Sequence, residues 1–129
     1  MTLDSSALIA ILFAEPGYLD LVDRILEADH VRVGAPTLVE TTLVCTGRHQ
    51  SRQTADLVEA LLNELGISVV PFGEREWRLA TDAFNRYGRG RHTAGLNFGD
   101  CLAYATAAAA GEPLLFVGDD FARTDIARA

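Results

Sequence analysis

The sequence has 129 residues, of which 49% are hydrophobic and 22% are charged, and its formal net charge is −7. This length and apolar content predict one domain over residues 1–129 and exclude a disordered or low-complexity protein. All 11 basic residues are arginine. The lack of lysine excludes chemistry that needs a side-chain amine, and the negative charge excludes nucleic-acid binding by bulk attraction alone.

The uncharged apolar run at residues 5–14 is too short to span a bilayer and lacks the basic flank of a signal peptide. The two cysteines, Cys45 and Cys101, lie in apolar helical contexts without the spacing of a zinc site. Neither a disulfide framework nor a structural zinc is expected. These features predict a soluble, cytoplasmic protein that does not enter a membrane.

Short apolar strands alternate with helices along the chain. In chain order, the pattern predicts a strand at 1–4, helices at 6–13 and 18–28, a strand at 31–33, helices at 37–46 and 54–65, and a strand at 67–71. A helix at 74–87, a loop at 88–96, a helix at 98–110, a strand at 114–117 and a final helix at 121–127 follow. This order is typical of a three-layer α/β/α domain with a central, mostly parallel sheet.

Acidic residues stand where the predicted strands end or the following helices begin: Asp4, Glu40, Asp100 and the pair Asp119 and Asp120. Each has a simple explanation as a helix cap, and both Thr37-x-x-Glu40 and Asn97-x-x-Asp100 approach a capping box. Together, however, they would crowd like charges at the carboxyl edge of the sheet, so that protons or cations must neutralise them. Oxygen ligands alone favour a hard cation, Mg²⁺ or Mn²⁺, which suits phosphodiester chemistry.

Four parts of the sequence resemble the PIN-domain ribonucleases, and in particular their VapC toxin subfamily. They are the start MTLDSSAL, the helix that carries Glu40, YGRGRHTAGLNFGDC at 87–101 and LLFVGDDFARTDI at 114–126. The resemblance implies a PIN fold with a four- to five-stranded sheet and RNA cleavage that depends on Mg²⁺ or Mn²⁺. It further implies a homodimer and neutralisation by a cognate VapB-type antitoxin.

The resemblance also assigns catalytic and metal-binding roles. The acidic positions of the family correspond here to Asp4, Glu40 and Asp100, and the fourth falls in the segment at 118–121. Asp120 directly precedes the phenylalanine and is favoured, while Asp119 stays open. Ser6 matches a small hydroxyl residue near the metal and is assigned to substrate binding; it could also serve as an N-cap, and the two roles can coexist.

A basic segment precedes the helix that carries Asp100. We expect it to contact RNA phosphates through Arg86, Arg89, Arg91 and His92, followed by Asn97. A solvated loop and a binding site for the antitoxin are the alternatives. Trp77 is expected to pack against the sheet rather than to stack on a base.

Three other classes of protein also place acidic residues at the ends of parallel strands. A receiver-like signalling domain needs the lysine that this sequence lacks. A haloacid-dehalogenase-type phosphatase would have D-x-D after the first strand, where residues 4–6 read DSS. A non-catalytic PIN-like module that binds RNA or a partner keeps the same acids, so only an activity assay separates it from the nuclease.

Overall fold

The structure is a computed structural model that describes residues 1–49 and 54–129. Four short strands form a parallel sheet in the order β3-β2-β1-β4. The strands are β1 (Thr2–Leu3), β2 (Arg32–Gly34), β3 (Ser68–Val70) and β4 (Leu114–Leu115). The helices of the described ranges are α1 (Ser5–Leu12), α2 (Tyr18–Glu27), α3 (Ala35–His49), α4 (Thr54–Glu64), α5 (Glu74–Tyr87) and α6 (Phe98–Ala110).

Apolar side chains cover both faces of the sheet, because successive residues of a strand point to opposite faces. Leu114 packs on one face with residues of α5 and α6, whereas Leu115 packs on the other with residues of α1, α2 and β2. The predicted three-layer α/β/α architecture is therefore confirmed. The predicted bounds of α5 and α6 also agree with the structure.

Helix α6 lies unusually close to the sheet because small residues line its inner face. Ala103 and Ala107 have no exposed surface. A Cβ atom on Gly34 of β2 would lie 2.6 Å from Thr106 Oγ1, so only glycine fits there. The close approach places the start of α6 at the carboxyl edge of the sheet, beside the ends of β1 and β2.

The predicted helix at 121–127 is wrong. Turns replace it: Phe121 is 2% exposed in the core, and Tyr104 donates a hydrogen bond to Asp125 at 2.5 Å. Leu114 then donates to the Ala127 carbonyl and accepts from Ala129 N–H, which makes one parallel bridge. The chain end thus adds a single bridge beside β4, and with no helix there, Asp119 and Asp120 have nothing to cap.

The start of α3 and the environment of Trp77 also differ from the predictions. Helix α3 begins at Ala35, so Pro36 lies in its first turn, where a missing N–H breaks no helical hydrogen bond. Trp77 is 56% exposed, so the prediction that it packs against the sheet is wrong. The smaller Ala80 and Ala83 of the same helix face the core instead.

Both cysteines are free and buried. Within residues 1–49 and 54–129, no helix has the length and apolarity needed to cross a membrane.

Candidate active site

Asp4 ends β1 and caps helix α1. Its Oδ2 atom accepts hydrogen bonds from the Ser6 backbone N–H at 3.0 Å and the Ser6 hydroxyl at 2.5 Å. Its Oδ1 atom is buried and has no hydrogen-bond partner among the described residues. Burial raises the pKa of Asp4, the bonds from Ser6 oppose that rise, and the negative charge of Asp120 adds to it.

Ser6 connects this corner to the opposite end of the chain. Its hydroxyl accepts a hydrogen bond from the Val117 backbone N–H at 3.0 Å while it donates to Asp4. The alternative role of Ser6 as an N-cap is wrong, since Asp4 occupies that position. Ser6 instead holds the Asp4 carboxylate and the segment after β4 together.

Glu40 lies in α3, and its capping box is not formed. Because α3 begins at Ala35, Thr37 lies inside the helix rather than before it, and no described residue bonds to its hydroxyl. The Glu40 carboxylate lies against Gly99, where a Cβ atom would come within 2.7 Å of Glu40 Cδ. Its Oε2 atom is buried and unpartnered within the described residues. Burial and then the charge of Asp4 raise the pKa of Glu40.

Asp100 occupies the third position of α6 and forms the predicted capping box. Its N–H donates to Asn97 Oδ1 at 3.0 Å, and its Oδ2 accepts from the Asn97 N–H at 2.7 Å. Burial raises the pKa of Asp100 to about 6, with the nearby negative charges adding to the rise. Those charges belong to Asp4, Asp120 and Glu40, so carboxylates from four segments converge at the carboxyl edge of the sheet.

The turn after β4 carries both candidates for the fourth acid, Asp119 and Asp120. Gly118 has a φ of +96°, a conformation that favours glycine, and both Asp119 and Asp120 are exposed. The negative charge of Asp120 adds to the raised pKa of both Asp4 and Asp100, so Asp120 lies near these two carboxylates. For Asp4 and Asp100, capping and membership of the cluster coexist, because capping occupies one carboxylate oxygen and fixes its orientation.

The four acids fit a hard divalent cation. Their donors are all oxygen, two of those oxygens are buried without a partner, and no described arginine pairs with any of the acids. No group of three or more His, Cys, Asp or Glu side chains in the described ranges is already at ligand spacing. The carboxylates therefore surround the cation position only in part. The remaining ligands would be water molecules, several of which Mg²⁺ usually retains.

The basic residues predicted to bind substrate divide into two groups. Arg86 is held by Asp125 at 2.7 Å and by the Tyr87 hydroxyl at 2.6 Å, and His92 Nδ1 accepts from the Ala94 N–H. Arg89 and Arg91 are exposed and form no ion pair with any described residue. These two arginines are thus the ones whose charge is available to a ligand.

Sequence reasoning missed Gly99. A glycine inside the first turn of a helix is unfavourable unless another group must approach the backbone closely. That signal was present in the sequence, but the identity of the approaching group, Glu40, lies 59 positions away and emerges only from the fold.

The fold and sequence also match known proteins. The PIN domain family matches residues 1–127. Ribonuclease VapC36 of Mycobacterium tuberculosis is 42% identical over 127 residues, which cover 98% of this chain and 91% of that protein. The chain therefore belongs to the PIN-domain family and, within it, to the VapC ribonucleases, as its sequence motifs predicted.

Two solved structures share the fold at low sequence identity. M. tuberculosis VapC20, described as a sarcin-ricin loop cleaving toxin, has a TM-score of 0.77 at 17% identity and covers 99% of this chain and 97% of its own. VapBC2 from Rickettsia felis, solved with a DNA fragment from its promoter, has a TM-score of 0.77 at 12% identity and covers 98% of this chain and 94% of its own.

Proposed function

We propose that this chain is the toxin of a type II toxin–antitoxin system and hydrolyses RNA phosphodiester bonds in the cytoplasm. The observation that carries the proposal is the convergence of four carboxylates, two of which have buried oxygens without a partner among the described residues. The ribonuclease relative, at 42% identity, supports RNA as the substrate.

Mg²⁺, or alternatively Mn²⁺, is the proposed metal. Asp4, Glu40, Asp100 and Asp120 would hold it, with Asp119 as the alternative in the same turn. When bound, the cation supplies positive charge to the phosphate in the transition state and activates a water molecule for attack.

The chain's own residues hold these acids and the substrate in place. Ser6 orients the carboxylate of Asp4, and Asn97 orients that of Asp100. Arg89 and Arg91 are proposed to bind RNA phosphates on an otherwise acidic surface, where approach of the backbone is opposed elsewhere. The acids that hold the metal and the arginines that bind the RNA backbone are therefore different residues.

A VapB-type antitoxin is the proposed partner, and a homodimer is the proposed assembly. The VapBC2 neighbour shares this fold. Val39 and Leu43 of α3 are 59% and 66% exposed, and an apolar stripe of this kind supports a protein contact there.

The test is a cleavage assay with purified protein and structured RNA, with Mg²⁺ or with excess chelator. We expect cleavage only with the metal, and loss of cleavage in Asp4→Asn and Asp100→Asn. The matched control, Asp23→Asn on the exposed surface of α2, should cut like wild type. Mg²⁺ should also raise the Tm of wild type and of the control more than that of the two site variants. Cleavage in chelator, or full activity of both site variants, would overturn the proposal, and RNA binding without cleavage would favour the non-catalytic alternative.

A further inference from the structure

An apolar pocket of about 420 Å³ opens on the surface between α5 and α6. Trp77, Phe84 and Phe98 line it, with Cys101 and Leu102 also part of its wall. A fourth aromatic side chain, the half-buried Phe72, completes the lining. The exposed aromatic side chains of Trp77, Phe84 and Phe98, called the aromatic pocket below, are 56%, 39% and 80% exposed, respectively. Grouped exposed aromatic side chains on a soluble protein mark a binding surface.

Arginines flank the aromatic pocket. The Arg91 guanidinium lies 5.3 Å from the centre of the Phe84 ring, and the Arg78 guanidinium lies 5.3 Å from that of Trp77. Arg78 is ion-paired with Glu74 at 2.6 Å, so the free positive charge at the pocket is that of Arg91. A Cβ atom on Gly88 would come within 2.8 Å of Phe84 Cε2, so this glycine lets the ring lie beneath the basic loop. Aromatic faces and positive charge therefore coincide on a protein whose net charge is −7.

The aromatic pocket and the carboxylate cluster lie on opposite faces of the start of α6. Phe98 is the first residue of α6 and Asp100 the third, so the two residues are about 200° apart around the helix. A helix with its side chains is about 10–12 Å across. A single strand of RNA whose phosphate reaches Asp100 can therefore cross the end of α6 and bring a nearby base to the pocket.

We propose that the aromatic pocket binds an unpaired base of the RNA substrate, stacked against Trp77 and Phe98, close to the phosphate that is cut. This inference rests on the proposed function, since it takes RNA as the ligand. Unpaired bases stack on aromatic side chains and on arginine guanidinium planes, and the phosphates between them need positive charge. A purely apolar protein surface would fill the pocket but would leave the charge of Arg91, which forms no ion pair with a described residue, unmatched.

Trp77 provides a direct readout because it is the single tryptophan of the sequence. Metal-free protein is titrated with single-stranded oligoadenylate, and separately with an abasic oligomer of the same length and charge. Stacking predicts that oligoadenylate quenches the Trp77 fluorescence and that the abasic oligomer does not. In binding measured by anisotropy of labelled oligoadenylate, Trp77→Leu and Phe98→Leu should each weaken affinity by about 5- to 150-fold, the range for one stacked base.

Controls separate stacking from other causes. Leu26→Ala, which removes an exposed apolar side chain from α2, should bind oligoadenylate like wild type. Phe98 is the most exposed of the three aromatic residues, so Phe98→Leu is expected to fold, as a thermal melt will verify. Equal quenching by the abasic oligomer, or wild-type affinity in both pocket variants, would overturn the proposed base site.

Two further outcomes distinguish the competing interpretations. A change of oligomeric state in Trp77→Leu and Phe98→Leu, seen by sedimentation, would show that the pocket is a protein interface and overturn the inference. Fluorescence quenching by oligoadenylate without any Mg²⁺-dependent cleavage by wild type would instead overturn the proposed nuclease and support the base site.

Discussion

The hydroxyl of Ser6 accepts a hydrogen bond from the backbone N–H of Val117, 111 positions further along the chain. The same hydroxyl donates to Asp4 Oδ2. One small side chain therefore joins the end of β1 to the segment after β4, and with it two of the four acid-bearing segments.

Ser6→Ala is predicted to reduce cleavage by about 10- to 100-fold, the usual effect of removing a group that orients a metal ligand. The free energy of unfolding should fall by only about 1 kcal/mol, since water reaches the half-exposed Val117. Thr46→Ala, which removes one exposed hydroxyl hydrogen bond in α3, is the control for the stability effect. Equal cleavage by Ser6→Ala and wild type in initial-rate assays would exclude a role for Ser6 in positioning Asp4.

Gly99→Ala is predicted to displace Glu40 from the carboxylate cluster, because a Cβ atom there meets the Glu40 carboxylate. Cleavage and the Mg²⁺-induced rise in Tm should both fall, the former by at least about tenfold. Gly47→Ala, in α3, meets no atom within 4 Å and should keep full activity with a slightly higher Tm. If Gly99→Ala retains both readouts, Glu40 is not held by this contact.

Stability without metal is predicted to fall as the pH rises. The pKa of Asp100 is about 6 in the folded state against an ordinary value of 3.8, so the native protein binds this proton more tightly than the unfolded chain. The free energy of unfolding should therefore be higher at low pH and decline between 3.8 and about 6. Urea denaturation of wild type and Asp100→Asn across this range checks the prediction, since the variant should show a smaller slope. An equal slope in both would exclude Asp100 as the titrating group.

Arg89 and Arg91, which form no ion pair with a described residue, are predicted to govern the salt dependence of RNA binding. Arg89→Ala combined with Arg91→Ala should weaken binding and reduce the slope of log K against log salt by about one for each phosphate that the two side chains neutralise. Arg86→Ala should chiefly lower the Tm, because Arg86 is held by Asp125 and Tyr87. Binding titrations at several salt concentrations without antitoxin separate these effects, and an unchanged slope in the double variant would contradict the proposal.

Much of the fold was predictable because the local signals were strong. Helix α5 has clear apolar periodicity, and α6 is rich in alanine between Asn97 and Gly111; the predicted bounds of both helices agree with the structure. The segment at 121–127 has similar local propensity yet forms turns. Burial of Phe121 and the hydrogen bond between Tyr104 and Asp125 override that propensity.

In α5, too, the local pattern did not reveal the tertiary packing. Its apolar residues predicted a buried face, but periodicity does not reveal how much of that face the neighbouring helix covers. Ala83 is fully buried, whereas Trp77 and Phe84 extend past α6 and stay exposed. The aromatic pocket could therefore not be predicted from the spacing of residues.

By itself, the sequence determined the layered architecture and the family, and it predicted which acids meet at one edge, because strand order and parallel pairing bring strand ends together there. Only the tertiary structure decided how those acids are held. The bond from Val117 to Ser6 and the contact of Glu40 with Gly99 join residues 111 and 59 positions apart. Contacts between residues so far apart in the sequence depend on how closely the helices pack against the sheet. No local sequence pattern encodes that packing distance.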